Sequence, residues 1–255
     1  MNAARHHTTL EHPVANESLG LPAGIRACLF DLDGVLTQTA ELHAEAWKQT
    51  FDAFLRERSL SRPEPFVPFD AVHDYQRYVD GRPRYDGVRA FLAARRIEVD
   101  SALVAALGDR KNELVLELMR RQGLEPYEGS VRYVRAVRAA GLRRAVVSAS
   151  ANCRTALAAA GLTDLFEVRI DAARAEEGHL RGKPAPDTFL AGARALGVEP
   201  AAAAVFEDAL AGVAAGRAGR FGFVVGVDRT GHADELRRAG ADVVVSDLSE
   251  LLERR

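Results

Sequence analysis

Short, continuously apolar runs recur along the chain and alternate with segments of helical periodicity. Six runs are long enough for strands, at residues 27–30, 145–147, 167–170, 204–206, 223–227 and 242–245. Uninterrupted apolar runs of this length suit strands that are buried on both faces, which is typical of a parallel sheet. Residues 131–140 and 152–160 have helical spacing, and each is followed by a glycine that favours a helix end. The pattern predicts a doubly wound α/β (Rossmann-like) domain, whose ligands collect at the carboxyl ends of the strands.

The alternation of strands and helices is interrupted between residues 41 and 128. Apolar side chains in this stretch recur at helical spacing, as seen for Leu42, Trp47, Phe51, Phe54, Leu55, Val72, Tyr75, Val79, Leu114, Val115, Leu118 and Met119. We therefore expect a core domain at 24–40 and 129–255 and an inserted α-helical cap domain at 41–128. Residues 1–23 are polar and lack a period, and they are predicted to form a flexible N-terminal extension.

Composition narrows the classes of function without selecting one. The chain has 255 residues, 47% of them hydrophobic and 27% charged, and a formal net charge of −2. This near balance offers no electrostatic footprint for nucleic acid or for an anionic membrane. There is no apolar run of membrane-spanning length and no signal-like start, so we expect a cytoplasmic protein. We also expect a monomer. Cys28 and Cys153 are predicted to be reduced thiols.

Two carboxylates follow the first predicted strand in the segment Phe30-Asp31-Leu32-Asp33-Gly34. At this spacing both can point into one site, where one attacks phosphorus to form an aspartyl phosphate and the other exchanges protons with the leaving or attacking oxygen. An acidic turn after a strand is the alternative interpretation, because such turns are common. Asp31 and Asp33 alone do not distinguish the catalytic interpretation from the acidic turn.

Three further strand ends favour the catalytic interpretation. Ser148-Ala149-Ser150 offers hydroxyl and backbone N–H groups that could hold phosphate oxygens, although the same residues could simply cap a helix. Lys183 supplies a point cation, and Glu207-Asp208 adds two carboxylates. With Asp31 these acids make an oxygen-rich site that suits Mg²⁺. Nothing structural requires acids, hydroxyls and a lysine at four strand ends, so the set predicts phosphoryl transfer.

These four segments resemble the signature motifs of the haloacid dehalogenase superfamily, over residues 25–252. The resemblance implies that Asp31 is the nucleophile and Asp33 the general acid/base, whose backbone carbonyl also binds Mg²⁺. It implies that Ser148, Ala149 and Lys183 bind the phosphoryl group. It further implies that Asp208, with Glu207 beside it, completes the metal site.

The helical insertion directly after the first motif is similar to the cap of the β-phosphoglucomutase-like subfamily. By this resemblance, Thr39 and His43 support the acid/base, and Asn152 belongs to the phosphate-binding loop. Lys111 and an arginine of Gly81-Arg82-Pro83-Arg84 meet the substrate, with Arg84 preferred over Arg82. A mutase that turns a bisphosphorylated sugar around needs cap cations to hold the distal phosphate. The alternative is that each of these charges is merely solvated.

The resemblance implies a phosphoryl-transferring isomerase of carbohydrate metabolism that interconverts β-D-glucose 1-phosphate and glucose 6-phosphate. Catalysis would proceed through an aspartyl phosphate and β-glucose 1,6-bisphosphate, with a small sugar phosphate as the partner. A Mg²⁺-dependent sugar-phosphate phosphatase is the nearest alternative, because the same residues would then transfer the group to water. A non-catalytic sugar-phosphate-binding protein is the alternative of another class.

Overall fold

A computed structural model describes residues 16–61 and 65–253 and centres on a six-stranded parallel sheet. The strands are β1 (Ala27–Phe30), β2 (Arg143–Val147), β3 (Val168–Ile170), β4 (Ala203–Glu207), β5 (Phe223–Val227) and β6 (Val243–Val245). They lie in the order β3-β2-β1-β4-β5-β6. The chain therefore winds outward on both sides of β1, which confirms the predicted doubly wound α/β fold.

Register brings the ends of the central strands together. Phe30 at the end of β1 pairs with Val146 on one side and with Phe206 on the other. The residues that follow β1, β2 and β4 consequently emerge at one edge of the sheet. The candidate acids and hydroxyls follow these strands in the sequence, and the parallel pairing brings them close together.

Helices cover both faces of the sheet and form the insertion. They are α1 (Ala40–Ser61), α2 (Arg84–Ala94), α3 (Ser101–Gln122), α4 (Glu128–Ala139), α5 (Cys153–Ala159), α6 (Ala172–Glu177), α7 (Asp187–Ala195), α8 (Leu210–Ala218), α9 (Ala233–Ala239) and α10 (Glu250–Glu253). A π-helix spans Tyr75–Val79, and short 3₁₀ turns span Thr163–Leu165 and Pro200–Ala202. Gly141 and Gly161 follow α4 and α5 with φ of 78° and 67°, the left-handed conformation that glycine adopts without strain.

The inserted helices have a hydrophobic core of their own. Phe51 of α1 lies between Trp47 and Phe91, at ring-centroid distances of 5.0 and 4.2 Å. Phe69 closes this aromatic cluster from the loop that precedes the π-helix. Of the predicted period Val72, Tyr75 and Val79, Val72 is more than half exposed, whereas Tyr75 and Val79 pack in this core. Because the insertion packs around a separate apolar cluster, it can rest on the sheet domain as a unit, and the domain boundaries stay a prediction.

The prediction of a flexible extension over residues 1–23 is wrong for its last part, in which Asn16, Leu19 and Leu21 are buried. Leu19 and Leu21 are buried in the core beneath β1, and the buried Asn16 side chain donates hydrogen bonds to the carbonyls of Pro22 and Ile25. The Tyr133 hydroxyl donates to the Leu19 carbonyl at 2.9 Å. The sequence did not predict this burial, because two leucines in so short a segment do not establish a period. Residues 1–15 lie outside the described residues.

Both cysteines are buried and free, as predicted. Burial raises the pKa of the Cys28 and Cys153 thiols, so neither is a reactive thiolate near neutral pH. Among the described residues, no helix combines the length and the apolar character that crossing a membrane requires.

Candidate active site

The loop after β1 carries both predicted catalytic aspartates. Asp31 continues the strand, and its backbone N–H donates to the Phe206 carbonyl of β4 at 2.9 Å. Gly34 then turns the chain with φ of 83°, and a Cβ at this position would collide with the Asp208 carboxylate. Glycine is therefore required here for both conformation and space. Arg229 holds the loop from outside by donating from Nε to the Gly34 carbonyl at 3.0 Å.

Lys183 joins two strand ends beneath the site. Its Nζ lies 2.5 Å from Asp31 Oδ1, donates to the Val147 carbonyl at 3.2 Å and forms an ion pair with Glu207. Burial alone would lower the pKa of Lys183, but Asp31 and Glu207 more than offset it and raise that pKa. The lysine therefore stays charged at neutral pH.

A buried set of carboxylates is suited to a metal ion. Oxygens of Asp31, Glu207 and Asp208 lie within 4.8 Å of one another, and all three residues are buried. Burial raises the pKa of Asp208 well above its usual range, and Asp80, Glu207 and Asp31 add to the effect. Such crowding of carboxylates indicates a shortage of positive charge, which a cation would relieve. An all-oxygen donor set favours a hard divalent ion.

The Asp33 side chain turns away from this acidic set toward α1 and α3. Its Oδ1 accepts a hydrogen bond from the Thr39 hydroxyl, and Thr39 in turn contacts the Thr37 hydroxyl at 2.9 Å. Burial raises the pKa of Asp33, and the Thr39 hydrogen bond partly offsets that rise. A raised pKa suits a group that must both give and take a proton.

His43 and Lys111 lie next to Asp33. Lys111 Nζ lies 3.0 Å from His43 Nδ1, and His43 Nε2 lies 3.6 Å from Asp33 Oδ1. When Lys111 is an ammonium it can only donate, so Nδ1 then accepts and the ring proton lies on Nε2, which makes no hydrogen bond within the described residues. Burial and Lys111 lower the pKa of His43, so the ring is neutral at pH 7. Burial also lowers the pKa of Lys111 to about 7.

The loop after β2 offers hydroxyl and amide groups beside Asp31. Ser148 is buried, and its Oγ accepts from the Ser150 N–H at 3.1 Å. Ala149, Ser150 and Asn152 line the same cleft as Asp31. Asn152 also reaches the insertion, where its Nδ2 donates to Asn112 Oδ1 at 2.9 Å. The loop thus contacts both halves of the cleft.

The cleft lies between the sheet and the insertion. Its lining includes the predicted Asp31, Asp33, His43, Arg84, Lys111, Ala149, Asn152 and Asp208. Thr39, Ser148, Lys183 and Glu207 are buried directly behind this lining. Arg82 and Arg84 both face the cleft, and Arg84 Nη1 donates to the Gly108 carbonyl at 3.4 Å. Every predicted site residue therefore lies in or against one cleft.

Asp80 and Tyr75 line the cleft, but the sequence did not predict either as a site residue, and Tyr75 was predicted only as an apolar position of the insertion. Tyr75 begins the π-helix, Asp80 follows it, and the Tyr75 hydroxyl donates to the Asp80 carboxylate. Burial raises the pKa of Asp80 to about 7, the Tyr75 hydrogen bond counteracts this, and Asp31 contributes to the rise. In the sequence, Asp80 could have been noticed only because it directly precedes Gly81-Arg82-Pro83-Arg84, the segment whose arginines were predicted to meet the substrate.

Comparison with known proteins identifies the family. A model of the haloacid dehalogenase-like hydrolase family matches residues 25–220, most of the chain. The chain belongs to the haloacid dehalogenase-like hydrolase family. Among the members of this family, a β-phosphoglucomutase of Mycobacterium bovis is 55% identical over 251 residues, which cover 94% of this chain and 96% of the relative.

Other members of the haloacid dehalogenase-like family differ in their names. A validoxylamine A 7'-phosphate phosphatase of Streptomyces hygroscopicus is 31% identical, over 89% of this chain and 95% of that protein. The crystal structure of a Clostridium difficile β-phosphoglucomutase superposes with a TM-score of 0.72 at 25% identity, covering 89% of this chain and 93% of that one. Both mutases and phosphatases thus occur among the relatives.

Proposed function

We propose that this protein interconverts β-D-glucose 1-phosphate and glucose 6-phosphate, with Asp31 as the phosphorylated nucleophile. One observation carries the proposal. The cleft has Asp31, Asp33 and Asp208 on the sheet side and the cations Arg84 and Lys111 on the opposite side. A substrate with phosphates at both ends requires this two-sided distribution of charge. The 55% identity to a β-phosphoglucomutase supports the same activity.

In the proposed first half-reaction, a phosphorylated Asp31 transfers its phosphoryl group to a sugar hydroxyl. Asp33 removes the proton of that hydroxyl, and the Thr39 hydroxyl holds the Asp33 carboxylate by a hydrogen bond, with His43 beside it. Lys183 and the N–H groups of the Ser148 loop stabilise charge on the transferring group. In the second half-reaction the bisphosphate presents its other phosphate to Asp31, and Asp33 returns a proton to the leaving oxygen.

We propose Mg²⁺ as the cofactor, held by the Asp31 and Asp208 carboxylates. When bound, it supplies positive charge beside the transferring phosphoryl group. Glu207 is more deeply buried and is already paired with Lys183, so its main task is to hold that lysine under Asp31. The Asp33 side chain points toward Thr39, and only its backbone carbonyl is left as a ligand in this proposal.

Exclusion of water separates a mutase from a phosphatase with the same residues. Asn152 to Asn112 and Gln76 to Thr230 are hydrogen bonds that join the insertion to the sheet domain on two sides of the cleft. A cleft closed by such contacts favours a bound sugar hydroxyl over water as the acceptor. These contacts support the mutase over the phosphatase.

The test supplies purified protein with β-glucose 1-phosphate, Mg²⁺ and a trace of β-glucose 1,6-bisphosphate. Glucose 6-phosphate and inorganic phosphate are then measured together. We expect glucose 6-phosphate with little inorganic phosphate. Stoichiometric inorganic phosphate would establish the phosphatase instead, and binding without either product would establish a sugar-phosphate-binding protein.

A further inference from the structure

Asp80 brings an additional carboxylate into the cleft from the side of the insertion. It follows the π-helix Tyr75–Val79 and is half-buried, and it lines the cleft together with Asp31, Asp33 and Asp208. The roles proposed above use none of its atoms. A carboxylate that faces the binding site of an anionic substrate costs binding energy unless it has a partner. Asp80 therefore requires a functional explanation.

The segment around Asp80 is pressed against the sheet domain at close range. A Cβ at Gly81 would lie 2.7 Å from the Ala209 Cβ, and a Cβ at Gly182 would overlap the ring of Pro83. Gln76 Nε2 donates to Thr230 Oγ1 at 3.2 Å on the other side of the segment. Asp80 is thus placed by packing on both sides, which is the arrangement expected of a positioned binding group.

Neighbouring groups orient the carboxylate and leave part of it available. The Asp80 N–H donates to the Tyr75 carbonyl at 3.0 Å, and the Tyr75 hydroxyl donates to the Asp80 side chain. A carboxylate has about four lone-pair sites, so one hydroxyl donor leaves most of its accepting capacity unused. The unused capacity belongs to a side chain that lines the cleft.

The chemistry of the cleft determines which ligand group Asp80 can take. A phosphate oxygen would be repelled, and the cations that attract it lie elsewhere, at Lys183, Arg84 and Lys111. Among the described residues, the oxygens spaced for a metal ion belong to Asp31, Glu207 and Asp208, and Asp80 is not part of that set. A sugar hydroxyl is a neutral donor, and a carboxylate accepts from it strongly.

We propose that Asp80 accepts a hydrogen bond from a ring hydroxyl of the bound sugar phosphate and thereby selects the sugar. This inference rests on the proposed function and adds a specificity-determining residue to it. A site built to hydrogen-bond a hydroxyl rejects an analogue that lacks it, because its buried acceptor is then left unpaired. Tyr75 is the positioning residue, since it holds the carboxylate in the accepting orientation.

The experiment crosses variants of the protein with deoxy analogues of the substrate. The kcat/KM is measured for β-glucose 1-phosphate and for its 2-deoxy, 3-deoxy and 4-deoxy analogues, with wild type, Asp80→Ala, Asp80→Asn and the control Asp86→Ala. Asp86 is an exposed acid of α2 that pairs with Arg89 at 3.1 Å. Thermal unfolding of each variant shows whether it is folded at the assay temperature.

We expect the kcat/KM of wild type and of Asp86→Ala to be lower by about 10-fold or more for one deoxy analogue than for the parent sugar. That analogue lacks the hydroxyl from which Asp80 accepts a hydrogen bond. In Asp80→Ala that analogue and the parent sugar should react at nearly equal rates. Asp80→Asn keeps a carbonyl acceptor in a side chain of the same size and should retain part of the discrimination between the two sugars. This variant tests the proposal if the alanine variant is unfolded.

Two failures of this experiment are distinguishable. Equal deoxy penalties in wild type and in the folded Asp80 variants would overturn the role of Asp80 and leave the proposed function standing. If wild type does not convert the parent sugar phosphate, the proposed function is wrong, and the inference that rests on it is wrong as well.

Discussion

The Nζ atom of Lys183 lies 2.5 Å from Oδ1 of Asp31, although 152 positions separate the two residues in the sequence. Lys183 also pairs with the fully buried Glu207. Replacing it by methionine would leave two carboxylates buried without their counter-charge, a change that costs about 3–5 kcal/mol in comparable buried pairs. We expect Lys183→Met to lower the free energy of unfolding, as measured by urea denaturation, by an amount in that range.

A second substitution separates lost charge from lost packing at this position. The double variant Lys183→Met with Glu207→Gln removes one of the stranded charges and should regain part of the lost unfolding free energy. If the single variant unfolds at the same urea concentration as wild type, the proposed electrostatic role of Lys183 in the fold is incorrect.

Lys111 should give substrate binding a pH dependence. Burial lowers its pKa to about 7, so in the free protein the ammonium form dominates below that pH and the neutral amine above it. An anionic sugar phosphate is attracted by the ammonium form. Between pH 7 and pH 9 we expect KM to rise by up to about tenfold per pH unit, the limit for loss of one proton.

The Lys111→Met variant provides the control for this pH profile. Its KM should already be high at pH 7 and should change little up to pH 9, because no proton is lost. A wild-type KM that stays constant over this range would show that Lys111 does not bind the substrate as a cation.

Gly182 should govern how closely the insertion approaches the sheet domain. A Cβ at this position would overlap the Pro83 ring, so Gly182→Ala holds the cleft partly open and admits water. We expect the ratio of inorganic phosphate to glucose 6-phosphate to rise several-fold in this variant. Gly178→Ala is the matched control, because a Cβ there meets nothing closer than 3.2 Å.

Damage to the adjacent Lys183 is the alternative cause of such an effect. Adding Pro83→Ala to Gly182→Ala restores space without touching Lys183 and should bring the product ratio back toward wild type. If the double variant still gives the raised ratio of inorganic phosphate to glucose 6-phosphate, the cause is displacement of Lys183 and not incomplete closure of the cleft.

Divalent metal should stabilise the folded protein by relieving repulsion among the acids. The proposed ligands Asp31 and Asp208 come together only in the folded protein, so an ion bound by them would shift the equilibrium toward the folded state. We expect millimolar Mg²⁺ to raise the Tm of wild type and to have little effect on Asp208→Asn. An equal rise in both proteins would place the ion elsewhere.

The sheet and the sheet-side residues were predictable because their signals are local. Each strand is a short apolar run, and the residue after it inherits its position from parallel register, as Asp31 and Asp208 show. Lys183 was predicted only together with the acids and hydroxyls of the other segments, because a lone lysine in a loop carries no signal of its own.

Contacts made across the cleft were not predictable in the same way. Asp80 faces the core acids only because Gly81 and Pro83 pack against Ala209 and Gly182, which are distant in the sequence. The leucines at 19 and 21 likewise gain their burial from distant partners such as Tyr133, and their own spacing does not reveal it. Such features arise from tertiary packing, which periodicity does not record.

The formation of an aspartyl phosphate is the central claim, and direct mapping of the phosphorylated residue tests it. Wild type and Asp31→Asn are mixed with Mg²⁺ and β-glucose 1,6-bisphosphate, quenched in acid and digested for mass spectrometry. The account predicts a hydroxylamine-sensitive phosphoryl group on Asp31 in wild type and none in the variant. Turnover of β-glucose 1-phosphate by Asp31→Asn, or a phosphoryl group on another residue of the active wild type, would contradict it.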